Sequence, residues 1–260
     1  MSLELNEYIL VVLIFFVIAF FYSSVGFGGG SSYLAILALV FSSFLLIRST
    51  ALVCNLVVVS GSCYLFYKKG LLQFKKFLPF IITSVPFAFL GASFCLKETI
   101  FFILLGTSLV IAAFALLVQT MKLKSNYDLE KYPRPLIYIL GGFIGLLSGL
   151  VGIGGGIFLA PILNQLKWDK PIVIASLASF FILVNSISGI GGLMVSGTFE
   201  LFWPETIGLL MAVFTGGQLG ARMSLNKFSA KRIRMLTALL VLFVGIRVLI
   251  NNGLQISFFS

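Results

Sequence analysis

The stretch VGFGGG at residues 25–30 returns almost unchanged as VGIGGG at residues 151–156, 126 positions later. Both copies interrupt strongly apolar segments, and they occupy corresponding places in the two halves of the 260-residue chain. In membrane transporters, glycine-broken segments at equivalent positions of an internal repeat indicate a substrate site. These two glycine clusters therefore predict both the class of fold and the position of a binding site.

The composition places this chain in a membrane. Hydrophobic residues make up 60% of the sequence and charged residues 10%, and the mean hydropathy is +1.14. A soluble globular domain is about half apolar. The apolar runs are joined by short polar stretches that leave nothing for a separate soluble domain, so we predict an all-α membrane protein built as one bundle in lipid.

Ten apolar segments follow one another along the chain, five in each half, where a helix that crosses a bilayer needs about 20 residues. They lie at residues 8–25, 30–47, 50–67, 77–96, 99–119, 135–151, 156–166, 171–197, 204–221 and 233–250. The halves also match beyond the glycines, because Pro79 corresponds to Pro204 and residues 90–92 (LGA) to residues 219–221 (LGA). The chain is thus predicted to contain an internal repeat.

The basic residues predict how the repeat is oriented. Five segments per half make the two halves enter the membrane from opposite faces, so equivalent loops should differ in charge. With the N-terminus outside, 15 of the 18 Lys and Arg residues lie in cytoplasmic loops, as the positive-inside rule requires. The remaining three, Arg48, Lys97 and Arg247, then lie on the outer side, with Arg48 interpreted as part of a short loop.

We therefore predict an inverted-topology repeat in the membrane, with both termini outside. The first transmembrane repeat covers residues 1–119, a cytoplasmic linker covers 120–134, and the second, inverted repeat covers 135–260. Residues 135–166 must provide two segments in 32 positions, fewer than the roughly 40 that two complete spans need. Two arrangements fit the sequence equally well: ten spans, or six spans and two deep hairpins that enter from opposite faces. We therefore predict 8–10 transmembrane or re-entrant helices, with glycine breaks near the midplane.

The glycine clusters have the chemistry of an anion site. Irregular backbone at membrane depth needs a protected polar surrounding, and each cluster opens onto a helix whose first N–H groups have no internal partner and carry the positive end of its dipole. Glycine leaves this backbone accessible because it has no Cβ. The candidate substrate-binding residues are Gly28, Gly29, Gly30, Gly154, Gly155 and Gly156, with hydroxyl and amide donors from Ser31, Ser32, Asn55, Ser176, Ser179, Asn185 and Ser188.

Close helix packing is the alternative explanation for glycines at this spacing. It is favoured where single small residues recur every four positions, as at Gly141, Gly145, Gly149, Gly216 and Gly220. Packing does not require three consecutive glycines, so binding is favoured for the two clusters. Neither cluster is a phosphate-binding loop, because both lack the Lys of that motif and a preceding strand.

Other classes of function are disfavoured. The chain has no histidine, and its three cysteines lie inside apolar runs without C-x-x-C pairing, so we expect no metal site, no cofactor and no catalytic residues. The net charge of +10 comes from the ends of apolar runs and does not form the basic stripe of a nucleic-acid-binding protein. The expected partners are a small anionic substrate and the lipid bilayer.

The stretch GIGGGIFLAPIL at residues 152–163, followed by ASLAS at 175–179 and NSISG at 185–189, resembles the sulfite exporter TauE/SafE family. The resemblance extends over essentially the whole chain. It implies an inner-membrane transporter of sulfur oxyanions or organosulfonates, such as sulfite, thiosulfate or sulfoacetate. The first repeat departs from the pattern, because it reads SSYLAI at residues 31–36.

The leading hypothesis is a secondary transporter that moves a small sulfur-containing anion by alternating access around the two glycine clusters. An interior at about −100 mV favours export of a monoanion by about 2.3 kcal/mol. A coupling ion, Na⁺ or H⁺, and a homo-oligomer are left open. The alternative is an anion channel or an accessory membrane subunit of a larger complex.

Overall fold

A computed structural model describes residues 5–25, 28–41, 43–122, 132–223 and 230–250. Within these ranges the chain is helical and contains ten helices, which confirms the predicted all-α class. They are α1 (Leu5–Val25), α2 (Gly30–Val40), α3 (Phe44–Lys68), α4 (Phe74–Ser93), α5 (Glu98–Lys122), α6 (Arg134–Val151), α7 (Gly156–Gln165), α8 (Pro171–Val195), α9 (Trp203–Met223) and α10 (Ala230–Val248).

Six helices of the described chain, α1, α3, α4, α5, α6 and α8, are long and apolar enough to cross a membrane. Large apolar side chains on the outside of the bundle, such as Phe114 and Ile139, are more than 60% exposed, as expected for surfaces that face lipid. By contrast, α2 and α7 have only 11 and 10 residues, a length of about 15 Å or half of a hydrocarbon core. The chain is a multi-pass membrane protein with two half-length helices.

The boundary between α2 and α3 differs from the sequence prediction. Helix α2 ends at Val40, and α3 begins at Phe44 after Ser43, whose side chain accepts a hydrogen bond from Leu46 N. Arg48 therefore lies in the second turn of α3, and its interpretation as an outer loop residue is wrong. The physical reason, given below, is that helix carbonyls satisfy its charge inside the protein.

Single glycines at four-residue spacing lie where helices approach most closely. A Cβ added at any of them would contact the backbone carbonyl of the partner helix, α4 for the glycines of α6 and α1 for those of α9. They are Gly141, Gly145, Gly149, Gly216 and Gly220. Their interpretation as packing residues is confirmed.

The helix pairings of one half recur in the other. Helix α1 packs on α9 as α6 packs on α4, α2 contacts α10 as α7 contacts α5, and α3 packs on α8 between the halves. The same correspondence holds for individual contacts. A Cβ at Gly91 in α4 would contact Leu146 O in α6, and a Cβ at the equivalent Gly220 in α9 would contact Phe20 O in α1. Such exchange of contacts is what an internal repeat requires, while its inverted orientation in the membrane stays a prediction.

The α6–α7 segment forms a hairpin. The hydroxyl of Tyr132, just before α6, donates to Leu166 O, just after α7, over 2.9 Å. The chain thus leaves the hairpin at the end of the bundle where it entered. Together with the ten-residue length of α7, this geometry favours deep hairpins over ten complete spans.

The α1–α2 segment is arranged in the same way. Near the start of α1, Tyr8 OH donates to Glu205 O over 3.0 Å. After α2 ends, Ser43 Oγ donates to Glu200 Oε2 over 3.2 Å. The two ends of this hairpin therefore lie beside the α8–α9 connection and the first turn of α9.

The two hairpins open towards opposite ends of the long helix α3. Its first turns lie at the α8–α9 connection, where Ser49 Oγ accepts from Glu200 N over 3.1 Å. Its last residue leads into the α3–α4 connection, and Lys76, in the first turn of α4, forms an ion pair of 2.8 Å with Asp169, just after the second hairpin. This arrangement brings the glycine breaks into the bundle from its two ends.

Candidate functional site

The second glycine cluster ends one helix and begins the next. Helix α6 ends at Gly152, with φ 85°, and Gly155 is the N-cap of α7, with φ 80°. Gly154 between them has φ 84°. These left-handed conformations strain any residue that carries a Cβ, so the backbone of the break explains why glycine occurs there.

The first cluster begins its half-length helix in the same way. Gly29 is the N-cap of α2, with φ 84°; residues 26 and 27 lie outside the described part of the chain. The first helical hydrogen bonds are donated by Ser32 N to Gly29 O and by Phe158 N to Gly155 O. The N–H groups before them have no acceptor within their own helices, so both half-length helices start with donors that helical hydrogen bonds do not use.

The two clusters meet at the same pair of side chains, Asn55 on α3 and Ile182 on α8. A Cβ at Gly28 would lie 3.1 Å from Asn55 Oδ1 and 3.4 Å from Ile182 Cδ1. A Cβ at Gly154 would lie 3.2 Å from Asn55 Nδ2 and 2.8 Å from Ile182 Cγ2. Because Asn55 and Ile182 lie near the middles of two 25-residue helices, the breaks converge deep in the bundle.

These two side chains also cover the starts of the half-length helices. Asn55 contacts Gly30, the first residue of α2, and Ile182 contacts Gly156, the first residue of α7. The Asn55 amide is further held by a hydrogen bond from Nδ2 to Ile153 O of 3.1 Å. Asn55 and Ile182 therefore lie directly at the starts of the two half-length helices.

Buried hydroxyls without partners lie beside the second cluster. Ser186 Oγ and Ser148 Oγ have no hydrogen-bond partner among the described residues, and both side chains are at most 1% exposed. Asn55 Oδ1 also lacks a partner there, but it lies at the first cluster, 3.1 Å from the Cβ position of Gly28. Ser186 Oγ lies 3.4 Å from the Cβ position of Gly154, and Ser148 Cβ lies 3.3 Å from that of Gly155. Neither serine was predicted as a site residue. In the sequence, Ser148 lies one helical turn before Gly152 and Ser186 one turn after Ile182, and this spacing is the only local indication of their position.

The first cluster has a different polar neighbourhood. Ser32 shares a 2.5 Å hydrogen bond with the Tyr22 hydroxyl, in which either oxygen can donate. Ser31 Oγ and Tyr33 OH have no partner within the described ranges, and Tyr33 OH lies 2.9 Å from the Cβ position of Gly29. Ser31 and Ser32 are buried beside the break, and their role in binding stays a prediction.

The predicted polar residues of α8 fall into two groups. Ser176 donates to Leu71 O over 3.0 Å, Ser179 to a carbonyl one turn earlier in α8 over 3.1 Å, and Ser188 to a carbonyl of α4 over 2.6 Å. These hydroxyls are engaged with backbone. Asn185 is fully buried, and neither of its amide atoms has a partner in the described chain, so it remains the more available donor.

Arg48 is the charged residue that the sequence analysis misplaced. Its side chain is 1% exposed, and Nη2 donates to Gly91 O and Gly149 O in the last turns of α4 and α6. Helix C-termini carry unpaired carbonyls and the negative end of the dipole, so two of them compensate the guanidinium. Arg48 Cγ lies 2.8 Å from the Cβ position of Gly152, which places this cation directly at the second break.

Metal binding has no support in this site. Among the residues that the structure describes, no three His, Cys, Asp or Glu side chains cluster closely enough to hold a metal ion. The described neighbours of the two glycine clusters are amides, hydroxyls, apolar groups and Arg48. These groups can offer hydrogen-bond donors, helix dipoles and one cation to a ligand, and no Asp or Glu is among these described neighbours.

Comparisons with known proteins point to one family. The family model described as "Sulfite exporter TauE/SafE" matches residues 11–248. The chain is 32% identical over 251 residues to "Probable membrane transporter protein y4hK" of Sinorhizobium fredii, covering 94% of this chain and 99% of that protein. It is also 32% identical over 83 residues to a "Probable membrane transporter protein" of Haemophilus influenzae, covering 30% and 31%. No solved structure matches the chain significantly.

Proposed function

Because the chain belongs to the sulfite exporter TauE/SafE family of membrane transporters, we propose that it carries a small sulfur-containing anion, such as sulfite, thiosulfate or an organosulfonate, across the inner membrane. One observation carries this proposal. Two half-length helices begin, with N–H groups that helical hydrogen bonds do not use, at glycine breaks that meet at Asn55 and Ile182 deep in the bundle. Such paired helix N-termini bind anions without a basic side chain.

The helix dipoles favour a single negative charge on the substrate. Each N-terminus is equivalent to about +0.5 elementary charge, so α2 and α7 together match one anionic charge. The described residues in contact with the two clusters include no Asp or Glu that would oppose it. A monoanion is thus the ligand whose charge these two helix ends neutralise.

The transport step is alternating access of the two halves. We place the N-terminus and the C-terminus outside and the linker 120–134 in the cytoplasm, as the basic residues indicate. The bonds that close the ends of the bundle, Lys76 with Asp169 and Ser43 with Glu200, would open in turn. An interior at about −100 mV favours export of a monoanion by about 2.3 kcal/mol, so the step needs no coupling ion, although Na⁺ or H⁺ coupling is compatible with it.

Flux measurements in proteoliposomes test the proposal. Purified protein should give saturable uptake of labelled sulfite, thiosulfate or a sulfonate, and an imposed potential should change its rate in the direction expected for one negative charge. Liposomes without protein are the control. Absence of saturable flux for every anion, with or without a sodium or pH gradient, would refute the proposal, and unitary currents in a planar bilayer would show a channel instead of a carrier.

A further inference from the structure

We propose that the anion binds at one of the two glycine clusters only, the second, where Asn55, Ser148 and Ser186 complete its ligand shell. This inference rests on the proposed function and specifies the position and the side chains of the same site. The amides at the start of α7, from Gly156, supply the backbone donors. The first cluster and its neighbours form the opposite wall of the site, where the counterpart of Arg48 is Ala175.

The internal repeat shows which positions correspond. Asn55 contacts Gly28 and Gly30 in the way that Ile182 contacts Gly154 and Gly156. The two residues are 127 positions apart, so one position of the repeat carries an amide in the first half and an aliphatic side chain in the second. The site is therefore not symmetric, although its backbone is.

A second pair of positions has the same offset and the opposite polarity. A Cβ at Gly28 would lie 2.7 Å from Val59 Cγ1, whereas a Cβ at Gly154 would lie 3.4 Å from Ser186 Oγ. Ser186 is 127 positions after Val59. The buried hydroxyl thus faces the second cluster, and a hydrocarbon takes its place at the first.

The Asn55 amide lies between the two clusters and contacts both. Its Nδ2 donates to Ile153 O over 3.1 Å and lies 3.2 Å from the Cβ position of Gly154, while Nδ2 and Oδ1 both contact the Cβ position of Gly30. The amide nitrogen retains a second hydrogen that can bind an oxyanion. Asn55 can therefore complete a ligand shell at the second cluster, although it also lies against the start of α2.

Two further groups increase the positive potential at the second break. Ser148 Oγ is buried, has no partner within the described ranges, and belongs to a residue that contacts the Cβ position of Gly155. Arg48 lies against Gly152, and the residue 127 positions later is Ala175, so the other half has no corresponding cation. The first cluster has hydroxyls of its own, on Ser31 and Tyr33, that lack a partner within the described ranges. The preference for the second cluster therefore depends on Arg48 and on the Ser186 hydroxyl that faces Gly154.

Two serine variants test the inference in the proteoliposome assay. Ser186→Ala and Ser148→Ala should each raise the KM for the transported anion about tenfold, the effect of losing one hydrogen bond to a charged group, with little change in kcat. Ser60→Ala is the matched control, because Ser60 Oγ bonds only to Leu56 O of its own helix on an exposed surface. KM values within twofold of wild type for both variants would overturn the inference.

A hydroxyl at the first cluster provides the second test. Tyr33→Phe removes the buried hydroxyl that lies 2.9 Å from the Cβ position of Gly29 and has no partner within the described ranges, and it should leave the KM within twofold of wild type because the anion binds at the other cluster. A tenfold increase in the KM of Tyr33→Phe would show that the first cluster also binds the anion and would overturn the inference. Size-exclusion profiles and melting temperatures verify folding. If wild-type protein gave no saturable flux, the proposed function itself would fail and this inference with it.

Discussion

At Gly154 and Gly155 the backbone adopts left-handed conformations that carry the chain from α6 into α7 within four residues. The side chains around them leave little space, because a Cβ at Gly155 would lie 2.7 Å from Phe181 Cε1. Conformation and packing therefore both select glycine at this point. Nearby, Arg48 donates to Gly91 O in the last turn of α4 and to Gly149 O in the last turn of α6, and so stabilises the ends of both helices.

Alanine at Gly155 should destabilise the protein and stop transport. The left-handed conformation costs a residue with a Cβ about 1–2 kcal/mol, and the contact with Phe181 adds to this. We expect a lower melting temperature and loss of saturable flux. Gly191→Ala is the control, since its Cβ would have ordinary contacts of 3.7 Å and no left-handed backbone. Wild-type flux in Gly155→Ala would show that transport does not require glycine at this position.

Replacing Arg48 by methionine should lower the free energy of unfolding. The carbonyls of Gly91 and Gly149 would lose their buried donor, at about 1–3 kcal/mol for each unpaired group. Thermal unfolding in detergent measures this, with Arg247→Met as the control because Arg247 is exposed. The melting temperature of Arg48→Lys should lie between those of Arg48→Met and wild type, because a single ammonium lacks the several donors of a guanidinium. Equal melting temperatures for Arg48→Met and wild type would contradict a stabilising role.

Helices α2 and α7 depend on their neighbours. Isolated helices of 10 or 11 residues are marginal in water, and here α2 packs on α3 and α10 while α7 packs on α8 and α5. The hairpins that contain them are held at their open ends by Tyr132 with Leu166 and by Tyr8 with Glu205. Long helices thus position the two short ones with their N-termini in the centre of the bundle.

The close approach of α6 to α4 should be sensitive to one added methyl group. Gly149→Ala would place its Cβ against Ala88 O, a backbone atom that cannot move aside, so the helices must separate. Gly142→Ala on the same helix is the control, because its Cβ would lie 3.5 Å from Phe87. We expect a lower melting temperature for Gly149→Ala only. A similar decrease in both variants would indicate a loss of helix flexibility instead of packing.

Over the whole molecule, helix contacts of one half recur in the other, and the two hairpins open at opposite ends of α3. Such an arrangement suits alternating access, since either end can open while the glycine breaks stay at the centre. The predicted division into repeats at 1–119 and 135–260 agrees with these contacts but has no independent test. The linker residues 123–131 lie outside the described chain.

Cysteine labelling in intact cells tests the proposed orientation. In a Cys95→Ser background, which removes the exposed thiol, Leu201→Cys between α8 and α9 should react with a membrane-impermeant maleimide. Lys69→Cys between α3 and α4 should react only after permeabilisation, because the positive-inside rule places it in the cytoplasm. The reverse pattern would invert the topology, and labelling of both sites in intact cells would contradict opposite openings.

Local composition was sufficient for much of this structure. High apolar content predicts the membrane class, the spacing of polar joints predicts ten helical segments, and the glycine clusters mark where α2 and α7 begin. These features depend only on residues close together in the chain and on the solvent, so they can be predicted without knowledge of the tertiary contacts. The boundary before α3 was wrong, because a charge such as Arg48 marks a membrane surface only when no buried partner compensates it.

Tertiary structure alone decided which side chains meet. Asn55 and Ile182 lie on helices more than 100 positions apart in sequence, and Ser148 and Ser186 become part of the site only because their helix faces turn towards the second break. A serine in an apolar helix most often bonds its own backbone, so sequence cannot distinguish those that remain free. Residue identity determines the local conformation of the breaks, whereas the packing of distant helix faces determines the chemistry that surrounds them.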